Sequence, residues 1–169
     1  NSVNRIFDGR LSYNKGSYLL NMLRFKLGDS AFFKGIRQYQ ADPSLAYGFA
    51  RTADLKRHLE QVSGQDLTVF FNQWYAGQGH PSYYVQWSQA GSNNVKIKMQ
   101  QTTSDPSVTF FEMPVPLKFK NATQEKTVIV DCKMNGENFL KYEGFIPDTV
   151  LVDPEYWLIS DENTSRKIA

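Results

Sequence analysis

Apolar residues in the first half of the chain recur at the spacing of an α-helix. After Tyr13, they fall on one helical face up to Leu27. Gly28 can end this helix as its C′ residue, and Asp29 can cap the next helix at its N-terminus. The pattern therefore predicts a first helix between Tyr13 and Leu27, followed closely by a second. The residues of the first apolar face are Leu19, Leu20, Met22, Leu23 and Leu27.

Three more helices are predicted before residue 77. The second carries a stripe of aromatic and aliphatic residues and stops at Asp42-Pro43, because the residue before a proline disfavours helix. The third begins with Thr52 as its N-cap and ends at Ser63-Gly64, and Asp66 is expected to cap the fourth. The aromatic residues of the fourth helix are expected to anchor the helical half; they are Phe70, Phe71 and Trp74.

From residue 82 onward, apolar and polar positions alternate with a period of two, which is typical of β-strands. Turn residues separate the strands, and Asn135-Gly136 is the strongest candidate for a two-residue hairpin. Pro114 and Pro116 place their strand at a sheet edge or place themselves at its start. The predicted strands are 83–87, 95–99, 115–119, 127–131, 139–142 and 150–152.

These patterns predict an α+β protein in which about four helices precede a small antiparallel β-sandwich. The expected division is a helical segment over residues 1–80, a β-sandwich over 81–159 and a polar tail over 160–169.

Composition and charge narrow the classes of function. The 169 residues carry a net charge of +2 without a dense Lys/Arg cluster, so a nucleic-acid partner is not expected. No apolar run is long enough for a membrane span, and we expect a soluble chain, either cytoplasmic or extracytoplasmic. One cysteine and two histidines make a metal site built from this chain alone improbable.

The two histidines and the cysteine are interpreted as residues without a catalytic or metal-binding role. His58 falls on the predicted polar side of the third helix, so we expect a solvated side chain. His80 lies in the turn of Gly79-His80-Pro81, and Cys132 is expected to be a buried or half-buried thiol without an activating cation. The sequence contains neither a Gly-x-Ser-x-Gly elbow nor a His-Glu-x-x-His pair.

The segment Ser12-Tyr13-Asn14-Lys15-Gly16 is the best candidate for chemistry. A tyrosine at the start of a helix can project into a cleft from a rigid base. Its phenol is a neutral hydrogen-bond donor at pH 7 and is suited to stabilising an oxyanion. The alternative is a packing role, which is common for an aromatic residue just before a helix.

An ordered set of short blocks resembles the aminopeptidase N-like zinc metallopeptidases, the gluzincin family that also contains leukotriene hydrolase. The blocks cover about residues 7–90 in the family's order and spacing. They are Tyr13-Asn-Lys15-Gly16, Leu19-Leu-Asn-Met22-Leu-Arg24, Leu27-Gly28-Asp29, Phe32-Phe-Lys-Gly35-Ile36, Tyr39, Thr52-Ala-Asp54-Leu55, Glu60-x-x-Ser63-Gly64, Asp66-Leu67-x-x-Phe70-Phe71-x-Gln73-Trp74 and Gly79-His-Pro81.

The resemblance implies roles for two residues. Tyr13 corresponds to the catalytic tyrosine that donates a hydrogen bond to the oxygen of the peptide carbonyl under attack, and Phe7 could line a substrate pocket or serve in packing. Residues 1–80 correspond to the C-terminal part of a thermolysin-like catalytic domain. Zinc, the catalytic glutamate and the motif that holds the substrate's amine belong to an upstream region absent from this sequence. The implied partners are a peptide substrate and that missing N-terminal region, and the chain alone is expected to be inactive.

Two other functions remain open at this point. A relative that has lost its metal ligands would serve as a non-catalytic scaffold or interaction module, and Tyr13 would then be structural. Alternatively, the sandwich could bind a ligand through a stacking face formed by Tyr83, Tyr84, Trp87 and Trp157. Strand alternation predicts that about half of such residues face the core.

Overall fold

The computed structural model describes residues 7–168, apart from the side chain of Tyr142. The chain forms two compact units, Asn1–Phe71 and Asn72–Ala169. Helices occupy the first unit and strands dominate the second, which confirms the α+β prediction.

The described part of the first unit contains four α-helices, as predicted. They are α1 (Lys15–Leu27), α2 (Asp29–Gln40), α3 (Thr52–Ser63) and α4 (Thr68–Phe70). A π-helical turn, Gly9–Asn14, precedes α1, and a second one, Phe71–Ala76, continues α4. The predicted fourth helix is therefore a single α-turn that widens into a π-helical turn before it reaches Trp74.

The helix ends follow the predicted glycines more closely than the predicted caps. Gly28 and Gly64 end α1 and α3 with positive φ angles of 78° and 68°. Gly28 rather than Asp29 is the N-cap of α2, and the two carboxylate oxygens of Asp29 accept from Arg24 at 2.7 and 3.0 Å. At the start of α3, Asp54 accepts a hydrogen bond from the Arg51 amide, so Arg51 rather than Thr52 is the N-cap. Asp66 accepts from the Thr68 amide at 2.7 Å, but Leu67 rather than Asp66 is the N-cap of α4.

Close packing between α2 and α3 forms part of the core of the first unit. A Cβ placed on Gly35 would lie 2.8 Å from Leu59 Cδ2, so a glycine allows the two helices to approach. From residue 7 onward, the buried apolar side chains of this unit are Leu19, Met22, Leu23, Phe32, Leu59, Leu67 and Phe70.

Within residues 72–168, the second unit contains seven strands in two sheets. They are β1 (Pro81–Ala90), β2 (Asn94–Thr103), β3 (Met113–Lys120), β4 (Glu125–Cys132), β5 (Glu137–Tyr142), β6 (Thr149–Val152) and β7 (Thr164–Lys167). One sheet has the order β5-β2-β1-β7 and the other the order β4-β3-β6. All pairings are antiparallel except β1 with β7, which is parallel. Strand β7 lies within the polar tail.

The inward faces of the two sheets share one core. Alternate residues of β1, β2 and β3 are buried, as strand geometry requires. Burial raises the pKa of Tyr83 in β1, and two nearby acidic groups, Cys132 in β4 and Asp153 just after β6, raise it further. The hydroxyl of Ser165 in β7 donates to the carbonyl of Val150 in β6, which links the two sheets.

Strand β3 is the central strand of its sheet rather than an edge, but its prolines do lie near its start. The Pro116 carbonyl accepts a hydrogen bond from the Asp153 amide, at 2.9 Å, on the β6 side of the strand. β6 pairs with β3 only from Leu117 onward. The amide hydrogens that Pro114 and Pro116 lack are therefore not needed, since β6 has no strand pairing at these positions.

The Asn135-Gly136 turn does not form the predicted hairpin. It follows β4 in one sheet and leads to β5, which pairs with β2 in the other sheet. Asn135 uses its side-chain amide to bind the backbone of Gln101 in both directions, each at 3.0 Å. The turn therefore crosses between sheets.

Candidate functional site

Tyr13 lies in the π-helical turn Gly9–Asn14 directly before α1. Asp8 fixes the start of this turn, because its carboxylate accepts from the Leu11 amide at 2.8 Å and its carbonyl accepts from the Ser12 amide at 2.9 Å. The Lys15 amide donates to the Arg10 carbonyl at the other end of the turn. Backbone hydrogen bonds thus hold the turn that carries Tyr13.

The side chain of Tyr13 points away from the core of its unit. It is 59% exposed, and no described residue provides a hydrogen-bond partner for its hydroxyl. Three residues later, a Cβ on Gly16 would meet no atom within 4 Å. The exposed phenol and the open space at Gly16 leave this surface accessible to a group from outside residues 7–168.

Phe7, the other candidate, is also exposed, at 64%. Leu11 and Leu20 add further exposed apolar surface near the N-terminal end of α1. The first unit therefore buries neither predicted site residue in its core.

The described residues do not fit a zinc site. No group of three or more His, Cys, Asp or Glu side chains within residues 7–168 is arranged to hold a metal ion. Burial raises the pKa of the Cys132 thiol to about 11, so this residue is not a ready thiolate ligand. The backbone of His80 is bound to Ser104 in the loop before β1, as its turn position predicts.

His58 is buried, which makes the prediction of a solvated histidine wrong. Its Nε2 lies 2.9 Å from the Asp42 carboxylate, which Arg57 also contacts at 3.1 Å. The Ser44 hydroxyl and amide donate to the other oxygen of Asp42, and these hydrogen bonds and those from Arg57 and His58 hold the pKa of Asp42 well below its usual range. The cluster ties the loop after α2 to α3. Asp42 and His58 are 16 positions apart in the sequence, so helical periodicity could not reveal the pair.

The predicted aromatic stacking face is not assembled. Tyr83 and Trp87 point into the core of the sandwich, whereas Tyr84 lies on the opposite face of the same strand. Trp157 is half-buried in the segment after β6. Only Tyr84 of the four is an outward-facing aromatic residue of a strand.

Among residues 7–168, no helix is long and apolar enough to cross a bilayer.

Comparison with known proteins assigns the helical part of the chain. Residues 1–74 match the model of the peptidase family M1 domain. Over 133 residues, the chain is 32% identical to mitochondrial aminopeptidase 2 of Saccharomyces cerevisiae, a match that covers 75% of this chain and 13% of that protein. Over 152 residues, it is 32% identical to the alanine/arginine aminopeptidase of the same yeast, covering 84% of this chain and 17% of that protein.

A bacterial relative matches at higher identity over a shorter region. The chain is 38% identical over 79 residues to aminopeptidase N of Lactococcus lactis, which covers 47% of this chain and 9% of that protein. The chain thus spans less than a fifth of the length of each of these three relatives.

Proposed function

The chain belongs to the M1 family of peptidases through residues 1–74, and on that premise we propose that it is part of a zinc-dependent aminopeptidase to which it contributes the oxyanion-stabilising tyrosine. The complete enzyme would remove N-terminal amino acids from peptides. The observation that carries the proposal is the exposed phenol of Tyr13 on a turn that hydrogen bonds hold in place.

Tyr13 would act on the carbonyl of the scissile peptide bond. As a nucleophile adds to the carbonyl carbon, negative charge develops on the carbonyl oxygen, and the neutral phenol donates a hydrogen bond to it. Two features support this role. The hydroxyl of Tyr13 has no competing partner among the described residues, and Asp8 orders the turn before any substrate arrives.

The zinc of the proposed enzyme would be held by polypeptide outside residues 7–168, since the described side chains do not fit a metal site. His58 is of a residue type that can bind zinc, but its Nε2 already lies 2.9 Å from the Asp42 carboxylate. When present, zinc would supply Lewis-acid chemistry. We therefore propose that the missing N-terminal catalytic region is the essential partner, and that the 169-residue chain with added zinc cleaves no aminoacyl chromogenic substrate.

Phe7 is proposed to line the pocket for the first side chain of the substrate. Its exposed ring supports this role, whereas a packing role would require the ring to be covered by the rest of the protein. Phe7→Ala in the complete enzyme should then change the preference among substrates with different N-terminal residues. An equal loss of activity on all substrates, together with lower stability, would instead indicate packing.

The role of Tyr13 is tested by Tyr13→Phe in the complete protein. The variant loses only the hydroxyl, so we expect kcat to fall about 10²–10³-fold while KM and stability change little. Tyr47→Phe is the matched control, because Tyr47 is a fully exposed tyrosine of the same unit and should keep full activity.

Unchanged turnover in Tyr13→Phe would remove this residue from the mechanism. A complete protein without any aminopeptidase activity would favour the scaffold alternative.

A further inference from the structure

A polar cleft lies at one end of the four-stranded sheet of the second unit. Its volume is about 420 Å³, within the range of small-molecule sites. Strands β1, β2 and β7 lie side by side at this end of the sheet. In the pairing of β1 with β2, Ser82 lies opposite Thr102 and Tyr84 lies opposite Gln100; on the other side of β1, Thr164 of β7 lies beside Tyr84. The outward residues that line the cleft are Ser82, Tyr84, Gln100, Thr102, Glu162 and Thr164.

The outward-facing side chains of this cleft have uncommitted hydrogen-bonding groups, whereas Gln101 and Asn135, which also line it, are bound within the protein. Within residues 7–168, none of these six side chains has a hydrogen-bond partner. They present hydroxyl groups, a side-chain amide, one phenol ring and a single carboxylate. A ligand with several donors and acceptors could therefore pair with them at no cost to internal hydrogen bonds.

Hydrogen bonds hold the segment that forms one wall of the cleft. Glu162 has a left-handed φ of 49°, an unfavourable conformation for a residue with a side chain, and the Asp161 carboxylate accepts from its amide at 2.9 Å. Next to it, Asn163 accepts from the Tyr83 amide at 3.0 Å and donates to Ser160 at 2.8 Å. Strained backbone that is held in place in this way is often found at ligand sites.

The lining chemistry selects one class of ligand. No lysine or arginine lines the cleft, which disfavours phosphate, sulfate and carboxylate ligands. Neutral hydroxyl and amide groups around one aromatic ring suit a neutral polyhydroxylated molecule, whose apolar ring face can lie on Tyr84 while its hydroxyls bond to Gln100, Ser82 and Glu162. We propose that this cleft binds a saccharide of one or two sugar rings. The proposal does not depend on peptidase activity.

Two disaccharides serve as probes for the 169-residue chain: cellobiose, and chitobiose with its N-acetyl groups. Each is titrated into isotope-labelled protein and followed by NMR. We expect saturable shifts for at least one disaccharide, confined to the amides of the cleft residues. Tyr84→Ala should weaken binding about tenfold, and Gln100→Ala should also weaken it.

Gln86→Ala is the matched control, because Gln86 is an outward glutamine of the same sheet that does not line the cleft. It should bind like the unaltered chain. The titration of the unaltered chain is itself decisive, so a variant that fails to fold does not remove the test. Absence of saturable shifts with both disaccharides would overturn the proposal, and so would saturable binding of an alkylammonium ion at Glu162 in place of the sugars.

Discussion

Gln101 offers a sharp test of how the sandwich core is held. This glutamine is only 4% exposed, and its amide pairs with the backbone of Phe111 in both directions: the Phe111 amide donates to Oε1 at 2.8 Å, and Nε2 donates to the Phe111 carbonyl at 3.1 Å. The side chain thus satisfies the backbone amide and carbonyl of Phe111, as a neighbouring strand would otherwise do, in the segment before β3. Replacing Gln101 with methionine keeps a similar volume but leaves both Phe111 groups buried without partners.

The expected loss follows from those two groups. A buried donor or acceptor left unsatisfied costs about 1–3 kcal/mol, so Gln101→Met should lower the free energy of unfolding by about 2–6 kcal/mol. Gln101→Ala should cost more, because it also opens a cavity. Gln100→Ala is the matched control: the neighbouring glutamine faces outward, and its truncation should change stability by less than about 0.5 kcal/mol.

Tryptophan fluorescence during urea unfolding is the appropriate assay. All three tryptophans, Trp74, Trp87 and Trp157, belong to the second unit, so their signal follows the sandwich and not the helices. If Gln101→Met were no less stable than Gln100→Ala, the paired hydrogen bonds could not be what holds the Phe111 segment.

Two further predictions concern the other unit and the segment before β1. Gly77→Ala should strongly destabilise the sandwich in the same fluorescence assay, because a Cβ at this position would lie 2.3 Å from the Gln73 carbonyl oxygen and 2.4 Å from Val108 Cγ2. Stability equal to that of the unaltered chain would contradict the packing at Gly77. Asp42 has a lowered folded-state pKa, so its contribution to stability is complete above its unfolded pKa of about 3.9 and is lost as the pH falls toward the folded pKa. Helical circular dichroism in urea should show this loss in the first unit, and a variant Asp42→Asn that kept the same pH dependence would exclude Asp42 as its source.

The order and type of the elements could be predicted from sequence because they depend on local periodicity. Four helical patterns and six alternating patterns all became helices or strands. β7 was missed, since residues Thr164–Lys167 carry no apolar alternation and form a strand by pairing with β1. Its edge position explains why polar residues suffice there.

Pairing across the sequence could not be predicted in the same way. Asn135-Gly136 has the composition of a hairpin turn, but the preference of two residues does not specify which strands they join. In the structure, the side chain of Asn135 bonds to the backbone of Gln101 in the other sheet, so the turn leads from one sheet to the other. The burial of His58 could not be predicted for a similar reason, because its partner Asp42 lies in the loop after α2, outside any helical pattern.

At the candidate site, too, short motifs could be found from the sequence, whereas contacts between residues far apart in the sequence could not. The blocks around Tyr13 are local, so the resemblance found them, and the structure adds that the phenol lies exposed on an ordered turn. At the other end of the M1 match, Gln73 and Trp74 bond to the amide and carbonyl of Glu112, at 2.7 and 3.1 Å, and the indole packs 4.6 Å from the ring of Phe111. Trp74 is buried as predicted, and both Glu112 and Phe111 belong to the second unit. The last residues of the M1 match therefore fold with the strands, and Gln73, Trp74 and Gln101 together fix the segment that leads into β3.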